Sequence, residues 1–297
     1  MLRQVTTMAL AAALMGTVTA AAQRGRGRRA PVDPEQPRVS LRDLDRIVPK
    51  LQSPNPDEVR EAIDLLSVID RPEVVPPLAE LLRAGQPDAI TDRALEALRG
   101  LAAPESIEVL TEFLHHRRVA ARRRAYQALA AIDDPRIPRL LERGLRDSDR
   151  SVRGAAALAL GEIGARQSLD ILFRAFERGV VEAAIAIGKL GDAAAIERYS
   201  EFLGREPLGV MLSGYREFLG RRDIPHDSKK AIVERLGEVA GVMVRRFLGE
   251  YLASLPERTR NRQIRELKVL LQETIARIPE EATGTRVAPA TEQGGAS

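Results

Sequence analysis

One set of apolar positions recurs five times along this chain, and such a register constrains the fold more than any other feature of the sequence. Its five anchor residues are spaced 32, 31, 31 and 27 residues apart. The anchors are Ile69, Leu101, Ile132, Ile163 and Leu190. A period of roughly 20–50 residues is typical of proteins built from stacked structural repeats. We therefore expect each anchor to mark one unit.

Four further positions in each unit are apolar at fixed distances from the anchor. Seven residues before the anchors stand Ala62, Ala94, Ala125, Ala156 and Ala183, and three before stand Leu66, Leu98, Leu129, Leu160 and Ile187. Nine residues after stand Leu78, Leu110, Leu141, Leu172 and Tyr199, and thirteen after stand Leu82, Leu114, Leu145, Phe176 and Leu203. Offsets of 3, 4 and 7 residues share one helix face. Each unit therefore predicts a first helix, a turn just past the anchor, and a second helix.

Turn-forming residues follow the anchors, including Pro72, Pro104, Pro135 and Gly164. Neither helix of a pair can bury its apolar face alone, so neighbouring pairs must stack on one another. The sequence thus predicts an all-α solenoid of about five to six helix pairs with atypical helical ends. We expect the regular repeats over 40–203, and a degenerate repeat with capping helices over 204–278.

The fourth unit carries a recognisable motif. Asp147–Gly164 reads D-S-D-R-S-V-R-G-A-A-A-L-A-L-G-E-I-G. It resembles the short HEAT-like repeat of bilin-lyase type, whose pattern is D-x-x-V-R-x-x-A-A-x-A-L-G-x-I-G, and Asp57–Arg60 with Ala62 partly matches it again. The resemblance implies a right-handed α-solenoid whose second helices line the concave face. In HEAT-like hydroxylases, iron is held by His-Glu pairs, and no His-Glu dipeptide occurs here, so that activity does not carry over.

The ends of the repeat region follow the same register less closely. Leu44, Ile47 and Leu51 fit second-helix positions, which predicts an N-terminal half-repeat over 40–52 with Ser40 as N-cap. Downstream we expect an extra helix at about 208–219 and a last charged helix at 261–278. Between them we expect a sixth unit, with the first helix carrying Ile232, Leu236 and Val239 and the second helix carrying Leu248 and Leu252.

The first 22 residues have the layout of a secretory signal peptide. Arg3 precedes an uncharged stretch from Val5, and the small residues Ala20–Ala22 stand before Gln23. We expect cleavage after Ala22 and an exported protein, periplasmic or secreted. No stable membrane anchor should remain after cleavage, because the apolar stretch is too short to span a bilayer. Residues 23–39, rich in Arg and Pro, and residues 279–297 are predicted to be disordered.

The chain has little raw material for catalysis. It contains no Cys and only three His, which excludes thiolate nucleophiles and Cys-ligated zinc. His115 and His116 are adjacent, so on a helix their imidazoles would point about 100° apart and could not easily share an ion. No phosphate-binding loop or nucleophile elbow is present. We therefore expect a protein that is not an enzyme and has neither a metal site nor a cofactor.

The middle of the chain is strongly basic. Between Arg117 and Arg153 there are 11 Arg and 5 acidic residues, a net charge of +6. One interpretation is a groove for polyanions. The other is a set of charge ladders between repeats, because arginines at outward positions of the second helices stand next to acidic residues of neighbouring units in the register. Arg139, for example, stands between Glu108 and Asp170 in this register.

Candidate binding residues follow from these outward positions. On the second helices they are Glu108, Glu112, Arg139, Arg143 and Arg174. A basic rim beside them comprises Arg117, Arg118, Arg122, Arg123 and Arg124, which few acids adjoin in sequence. A candidate interface comprises Leu158 and Ile185, because the equivalent residues of the first three units are polar. A helix without a polar face is usually covered, either by 204–278 or by a partner.

Together these features predict a non-enzymatic protein-binding scaffold of the exported compartment, acting through the concave face. The alternative is a module that binds envelope glycans or lipids through the Arg117–Arg153 region. Bilin-lyase-like activity ranks last, because the shared repeat is a scaffold and carries no chemistry. Nucleic acid is disfavoured as a partner, since only 3% of the residues are aromatic and few could stack on bases.

Overall fold

The computed structural model describes residues 39–279, which are helical apart from turns and one isolated bridge between Leu203 and Glu206. In chain order the α-helices are α1 (Leu44–Ile47), α2 (Pro56–Ser67), α3 (Val75–Arg83), α4 (Asp88–Leu101), α5 (Ile107–Phe113), α6 (Val119–Leu129), α7 (Ile137–Gly144), α8 (Arg150–Glu162), α9 (Leu169–Glu177), α10 (Ala183–Leu190), α11 (Ala193–Ser200), α12 (Leu208–Gly220), α13 (His226–Val239), α14 (Val242–Ser254) and α15 (Arg262–Arg277). Short 3-10 helices span Leu41–Asp43, Val48–Gln52, Pro72–Val74, Pro104–Ser106 and Arg166–Ser168. Except at residues 39 and 279, the predicted signal peptide (1–22), linker (23–39) and tail (279–297) lie outside the described residues.

Short polar side chains and glycine set several helix boundaries. The Asn55 side chain accepts a hydrogen bond from the Asp57 N–H at 2.9 Å, and the Asp149 side chain accepts one from the Ser151 N–H at 2.8 Å. Each bond satisfies a donor that the first helical turn leaves unpaired. After α8, Gly164 has a φ of 73°, a conformation that glycine adopts readily.

The repeated apolar positions form the core. Three positions of the register are 0% exposed in every unit. They are the alanine seven residues before the anchor, the aliphatic residue three before it, and the residue nine after it. At the last position of the register, four side chains are buried and Leu203, in the fifth unit, is half-buried. The predicted register is therefore confirmed in all five units.

The helices form two layers. The first helices of the five units, α2, α4, α6, α8 and α10, each pack on the next and form the first layer. The second helices α3, α5, α7 and α9 form the second layer, and each contacts the first helix of the following unit. Alanine at the contact between first helices leaves room for the larger aliphatic side chains around it. The predicted all-α solenoid is confirmed.

The N-terminal half-repeat also has its predicted place. Ile47 and Leu51 are buried, and α1 and the following 3-10 helix pack on α2 as a second helix would. Ser40 is the N-cap of the first turn, and its N–H donates to Asp43 Oδ2 at 2.9 Å. The backbone and side-chain hydrogen bonds from Ser40 hold the pKa of the Asp43 carboxyl below its ordinary value.

The predicted sixth unit is wrong in its pairing. The helix expected to be extra, α12, stacks on α10 and continues the first layer, and α14 contacts α12. Helix α13, expected to be a first helix, instead contacts α11 and α15 in the second layer. The pairs are therefore α12 with α13 and α14 with α15. Val239, the expected anchor, is 44% exposed, whereas Ile232 and Leu236 are buried.

A close contact between glycines explains why the apolar register did not predict that α12 packs as a first helix. A Cβ added at Gly188 of α10 would lie too close to the carbonyl oxygen of Gly214 of α12. The backbones of α10 and α12 therefore approach each other directly at these two glycines. A search for alanine and leucine at fixed offsets cannot detect a helix that packs through glycine.

An aromatic cluster fills the junction of α9, α11 and α12. Its members are Phe173, Phe176, Tyr199, Phe202, Tyr215 and Phe218, six of the ten Phe and Tyr residues of the chain. The Tyr199 and Tyr215 rings are 5.2 Å apart in an edge-on arrangement. The Tyr199 hydroxyl donates to the Met211 carbonyl at 3.1 Å, and the Tyr215 hydroxyl donates to Ser200 Oγ at 2.9 Å. Buried phenols need such partners, so the cluster fixes α12 against the repeats.

Candidate functional site

The outward positions of the second helices form one continuous row of exposed side chains, which we call the second-helix face. Its residues are Pro76, Glu80, Glu108, Glu112, Arg139, Arg143, Asp170, Arg174, Glu197 and Glu201. All ten are exposed, as the register predicts. The five candidate binding residues predicted on the second helices therefore share a single accessible surface.

Charge ladders between repeats do exist on this face, but other arginines supply the cations. Arg83 reaches across to the next unit, with Nη2 2.5 Å from Glu112 Oε1 and 3.3 Å from Glu108 Oε1. The hydrogen bond from Arg83 holds the pKa of the Glu112 carboxyl below its ordinary value. Sequence comparison of the outward positions alone missed Arg83, because it stands at the helix end, three residues past the outer row.

The carboxylates at the other end of the face are paired in a similar way. Arg198 Nη1 lies 2.8 Å from Asp170 Oδ1, and Arg235 Nη2 lies 2.5 Å from Glu197 Oε2. Arg198 directly follows an outward position, and Arg235 comes from α13. Partners on neighbouring helices thus pair with Glu108, Glu112, Asp170 and Glu197, whereas Glu80 and Glu201 make no ion pair within the described residues.

The ladder predicted through Arg139, Arg143 and Arg174 is wrong. Within residues 39–279, none of the three forms an ion pair. The register explains this result, because the unit-three equivalent of Arg83 is Arg146 and the unit-four equivalent of Glu112 is Arg174. The register positions that carry opposite charges between units one and two therefore carry two arginines between units three and four. We call Arg139, Arg143, Arg146 and Arg174 the central arginine patch, and all four are exposed.

Three of the five arginines of the predicted basic rim form ion pairs with carboxylates, although few acidic residues adjoin them in sequence. The rim comprises Arg117, Arg118, Arg122, Arg123 and Arg124. Arg118 Nη2 lies 2.5 Å from Asp92 Oδ1, and Arg124 Nη1 lies 3.1 Å from Asp92 Oδ2. Both arginines thus share the Asp92 carboxylate, which belongs to the preceding unit about thirty positions away in sequence, so local composition gave no sign of it. Only Arg117 and Arg123 are exposed and make no ion pair within the described part of the chain.

Arg122 makes the most buried ion pair of the rim. Its Nε and Nη2 each donate to one oxygen of Asp147 at 2.8 Å, and the two side chains are 12% and 9% exposed. Burial raises the pKa of the Asp147 carboxyl, but the bonds from Arg122 and from the Asp149 N–H outweigh that effect, and the pKa lies below its ordinary value. Two-point contact of this kind is the strong form of an arginine–carboxylate pair. It joins α6 to the turn before α8.

Leu158 and Ile185, the candidate interface, are both half-buried. Helix α10, which carries Ile185, packs between α8 and α12. The predicted cover by 204–278 is thus provided for α10 by α12, as the next member of the first layer. A partner surface at Leu158 stays a prediction.

The histidines occupy unrelated places. The His116 ring stacks on Phe113 with centroids 5.2 Å apart, and its Nδ1 accepts a hydrogen bond from the Arg118 N–H. His115 is exposed, and His226 lies at the start of α13. Within residues 39–279, no three His, Asp or Glu side chains are grouped so that they could hold a metal ion. In the same range, no helix is long and apolar enough to cross a membrane.

Comparison with known structures shows the fold. A homology model of the full-length AP-3 complex in an intermediate open conformation has 16% identity and a TM-score of 0.50, with 77% of this chain and 50% of that chain covered. The complex of CpcE and CpcF of phycocyanin lyase from a Nostoc species has 17% identity and a TM-score of 0.44, covering 84% and 99%. A designed armadillo repeat protein in complex with the peptide (KR)4 has 16% identity and a TM-score of 0.38, covering 78% and 99%. No curated protein sequence matches this chain.

The family comparison agrees with the register. HEAT repeats match at residues 44–130 and 107–188, which span the half-repeat and units one to four. The match ends at Gly188, where α10 approaches α12, just before the aromatic junction. The chain is a HEAT-like repeat protein.

Proposed function

We propose that this chain is an exported, non-enzymatic scaffold that binds a partner protein through its second-helix face. The observation that carries the proposal is the continuity of that face. Its ten outward residues are exposed across five units and differ in charge from unit to unit, whereas the buried positions repeat. Extended surfaces of stacked repeats suit broad recognition of proteins.

Support for a binding role without catalysis comes from the composition and the distribution of reactive groups. The chain has no Cys, and its three His are dispersed over two unrelated regions. The fold itself is silent on activity, because repeat scaffolds carry many functions. Bilin-lyase-like activity is not proposed, because the similarity to the phycocyanin lyase complex is one of fold.

The polyanion alternative through the rim is weakened by the ion pairs of Arg118, Arg122 and Arg124. Each already has a carboxylate partner, so binding a polyanion would require breaking a contact between repeats. In this proposal, Arg118, Arg122 and Arg124 stabilise the packing between successive repeats and do not bind a partner.

Site-specific photocrosslinking tests the scaffold role. A benzophenone side chain is placed at Glu80 or Glu201, exposed on the second-helix face and without ion pairs in the described chain, or at Gln127, exposed on a first helix. Extracts of the producing cells are crosslinked at low and high salt. We expect one protein band from the second-helix positions, retained at high salt, and none from Gln127. Bands from Gln127 alone, or from no position, would overturn the proposal.

Export is tested separately. We expect the mature protein recovered from the producing cells to begin at Gln23, which N-terminal sequencing measures directly. A mature protein that begins at Met1 and stays inside the cell would contradict export while leaving the scaffold role intact.

A further inference from the structure

The charge along the second-helix face is not uniform. At one end Glu108 and Glu112 are neutralised by Arg83. At the other end Asp170 is neutralised by Arg198, and Glu197 by Arg235. Between them the central arginine patch carries four positive charges that make no ion pair within residues 39–279.

The patch differs from two other junctions of the second-helix face. Between units one and two and between units four and five, opposite charges meet across the step between second helices. Between units three and four, Arg146 and Arg174 stand at the register positions that Arg83 and Glu112 hold between units one and two. All four patch arginines are exposed, and none makes an ion pair within the described residues.

We propose that the central arginine patch binds an acidic segment of the partner protein, with partner carboxylates taking the place that Glu112 holds against Arg83. This inference rests on the proposed function, because it assigns the chemistry of the same face. Arginine suits the task, since its planar guanidinium matches the two oxygens of a carboxylate.

The dimensions of the patch fix the length of the segment. Arg139 and Arg143 are one turn apart on α7, roughly 6 Å between their Cβ atoms. Ser168, the N-cap of α9, donates a hydrogen bond to Glu142 of α7 at 2.7 Å, and we take the general helix spacing of about 8–10 Å for this step. An extended chain advances about 3.3 Å per residue, so about four residues cross the patch. A segment with two to four acidic residues in a row is therefore sufficient.

A long, uniformly charged polyanion fits the face less well. Following the row of second helices in either direction, it would meet Glu80 or Glu201. Both are exposed and make no ion pair in the described part of the chain. These carboxylates repel a continuous negative chain, whereas a short acidic segment flanked by neutral residues ends before reaching them.

The test uses the full mature chain and a fluorescein-labelled twelve-residue peptide with the sequence Gly-Ser-Gly-Ser-Glu-Asp-Glu-Asp-Gly-Ser-Gly-Ser. Fluorescence anisotropy measures its binding at low ionic strength to the wild type and to two double variants. The first, Arg143→Glu with Arg174→Glu, reverses half of the patch. The second, Arg117→Glu with Arg123→Glu, reverses two exposed rim arginines and changes the net charge equally.

We expect the patch variant to bind the peptide about tenfold or more weakly than the wild type, because two favourable charge contacts become repulsive. The rim variant should bind within about twofold of the wild type. The basic N-terminal segment with Arg24, Arg26, Arg28 and Arg29 is common to all three proteins, so its contribution cancels. Circular dichroism checks that each variant is folded, which these exposed substitutions should not disturb.

Three results would overturn the inference. One is absence of peptide binding by the wild type, and another is an equal loss in both variants, which would reflect net charge alone. The third is tighter binding of heparin than of the peptide with the same dependence on Arg143 and Arg174, which would assign the patch to polyanions. Photocrosslinking from Glu80 and Glu201 is independent of the patch, so the scaffold role can survive any of these outcomes.

Discussion

Single residues at the unit junctions decide how closely neighbouring repeats approach and which charges they bury. Arg122 and Asp147 join two units through a two-point contact with little access to water. Gly214 lets α12 pack closely on the fifth unit, because it has no side chain. All three residues act across a boundary between units, where a repeat protein has its only long-range contacts.

Arg122→Met should destabilise the protein by about 3 kcal/mol, because it leaves the Asp147 carboxylate buried without its cation. Methionine keeps much of the apolar stem, so the loss reports the charge and not the packing. Urea denaturation measures the change. Arg124→Met, on the same helix but in a more exposed pair, should cost at most about 1 kcal/mol. Adding Asp147→Asn to Arg122→Met should restore part of the loss, and strictly additive effects would refute the coupling.

Gly214→Ala should cost about 1–3 kcal/mol, since an added Cβ would overlap the Tyr199 hydroxyl and lie 2.8 Å from the Ala184 carbonyl oxygen. Gly220→Ala is the control on the same helix, because nothing lies within 4 Å of its added Cβ. That change should be neutral or stabilise by up to about 1 kcal/mol, since alanine favours helix more than glycine does. Thermal melts of both variants decide the matter, and equal Tm values would argue against close packing at Gly214.

At the scale of whole helices, buried or half-buried cations hydrogen-bond to the helix ends of the C-terminal region. Arg221 Nη1 donates to the carbonyls of Gly188 and Gly191 at the end of α10, at 3.0 and 2.5 Å. Arg245 Nη1 donates to those of Ile275 and Ile278 at the end of α15, at 2.5 and 2.6 Å. These carbonyls have no partner within their own helix, and a positive charge suits the helix C-terminus.

Lys229 does the same for α12, with Nζ 2.9 Å from the Leu219 carbonyl and 2.5 Å from that of Arg221. Burial lowers the pKa of its ammonium, yet both bonds favour the charged form. Lys229→Met should destabilise by about 1–3 kcal/mol, because the Arg221 carbonyl loses its lysine donor and the Leu219 carbonyl keeps only the longer bond from the Tyr251 hydroxyl, at 3.4 Å. Lys230→Met, which removes ion pairs with the exposed carboxylates of Asp227 and Glu266, should cost less than about 1 kcal/mol. Urea denaturation compares the two, and equal losses would exclude the capping role.

The sequence predicted the positions of the helices in both regions, including α12 and α15, but it predicted their pairing only where the packing residue is alanine or leucine. Five units and the half-repeat follow from apolar periodicity, since Leu66, Leu98 and their equivalents are fully buried. The pairing of α12 with α13 did not follow, because α10 and α12 approach each other at Gly188 and Gly214. The burial of Lys229 could not be predicted either, because the sequence does not distinguish a buried lysine from a solvent-exposed one.

The candidate site divides in the same way. Periodicity predicts which side chains face outward, and all ten residues of the second-helix face are exposed. It does not predict their partners, because Arg83 and Glu112 are 29 positions apart and meet only through the reach of a long side chain. Arg146 was therefore not predicted from the sequence, because its register position is known to face the next unit only from the contact that Arg83 makes with Glu112.

For the whole molecule, stacking of nearest neighbours is the source of stability. Leu160→Ala in α8 should lower the free energy of unfolding by roughly 2–5 kcal/mol, because this side chain is 0% exposed and lies within the first layer. Val68→Ala is the control, at a position that is 52% exposed, and should change stability by less than about 0.5 kcal/mol. Thermal and urea melts test both, and an unchanged Leu160→Ala melt would contradict the register.

The tyrosines give the molecule a built-in optical signal at alkaline pH. Burial raises the pKa of all four phenols above the ordinary value of 10.0, to about 12 for Tyr251. Their stabilising contribution is therefore complete below pH 10 and is lost as the pH rises through the folded-state values. The chain has no Trp, so phenolate absorbance should appear together with loss of helical circular dichroism. Phenols that ionise near pH 10 while the helices persist would show that the aromatic junction opens on its own.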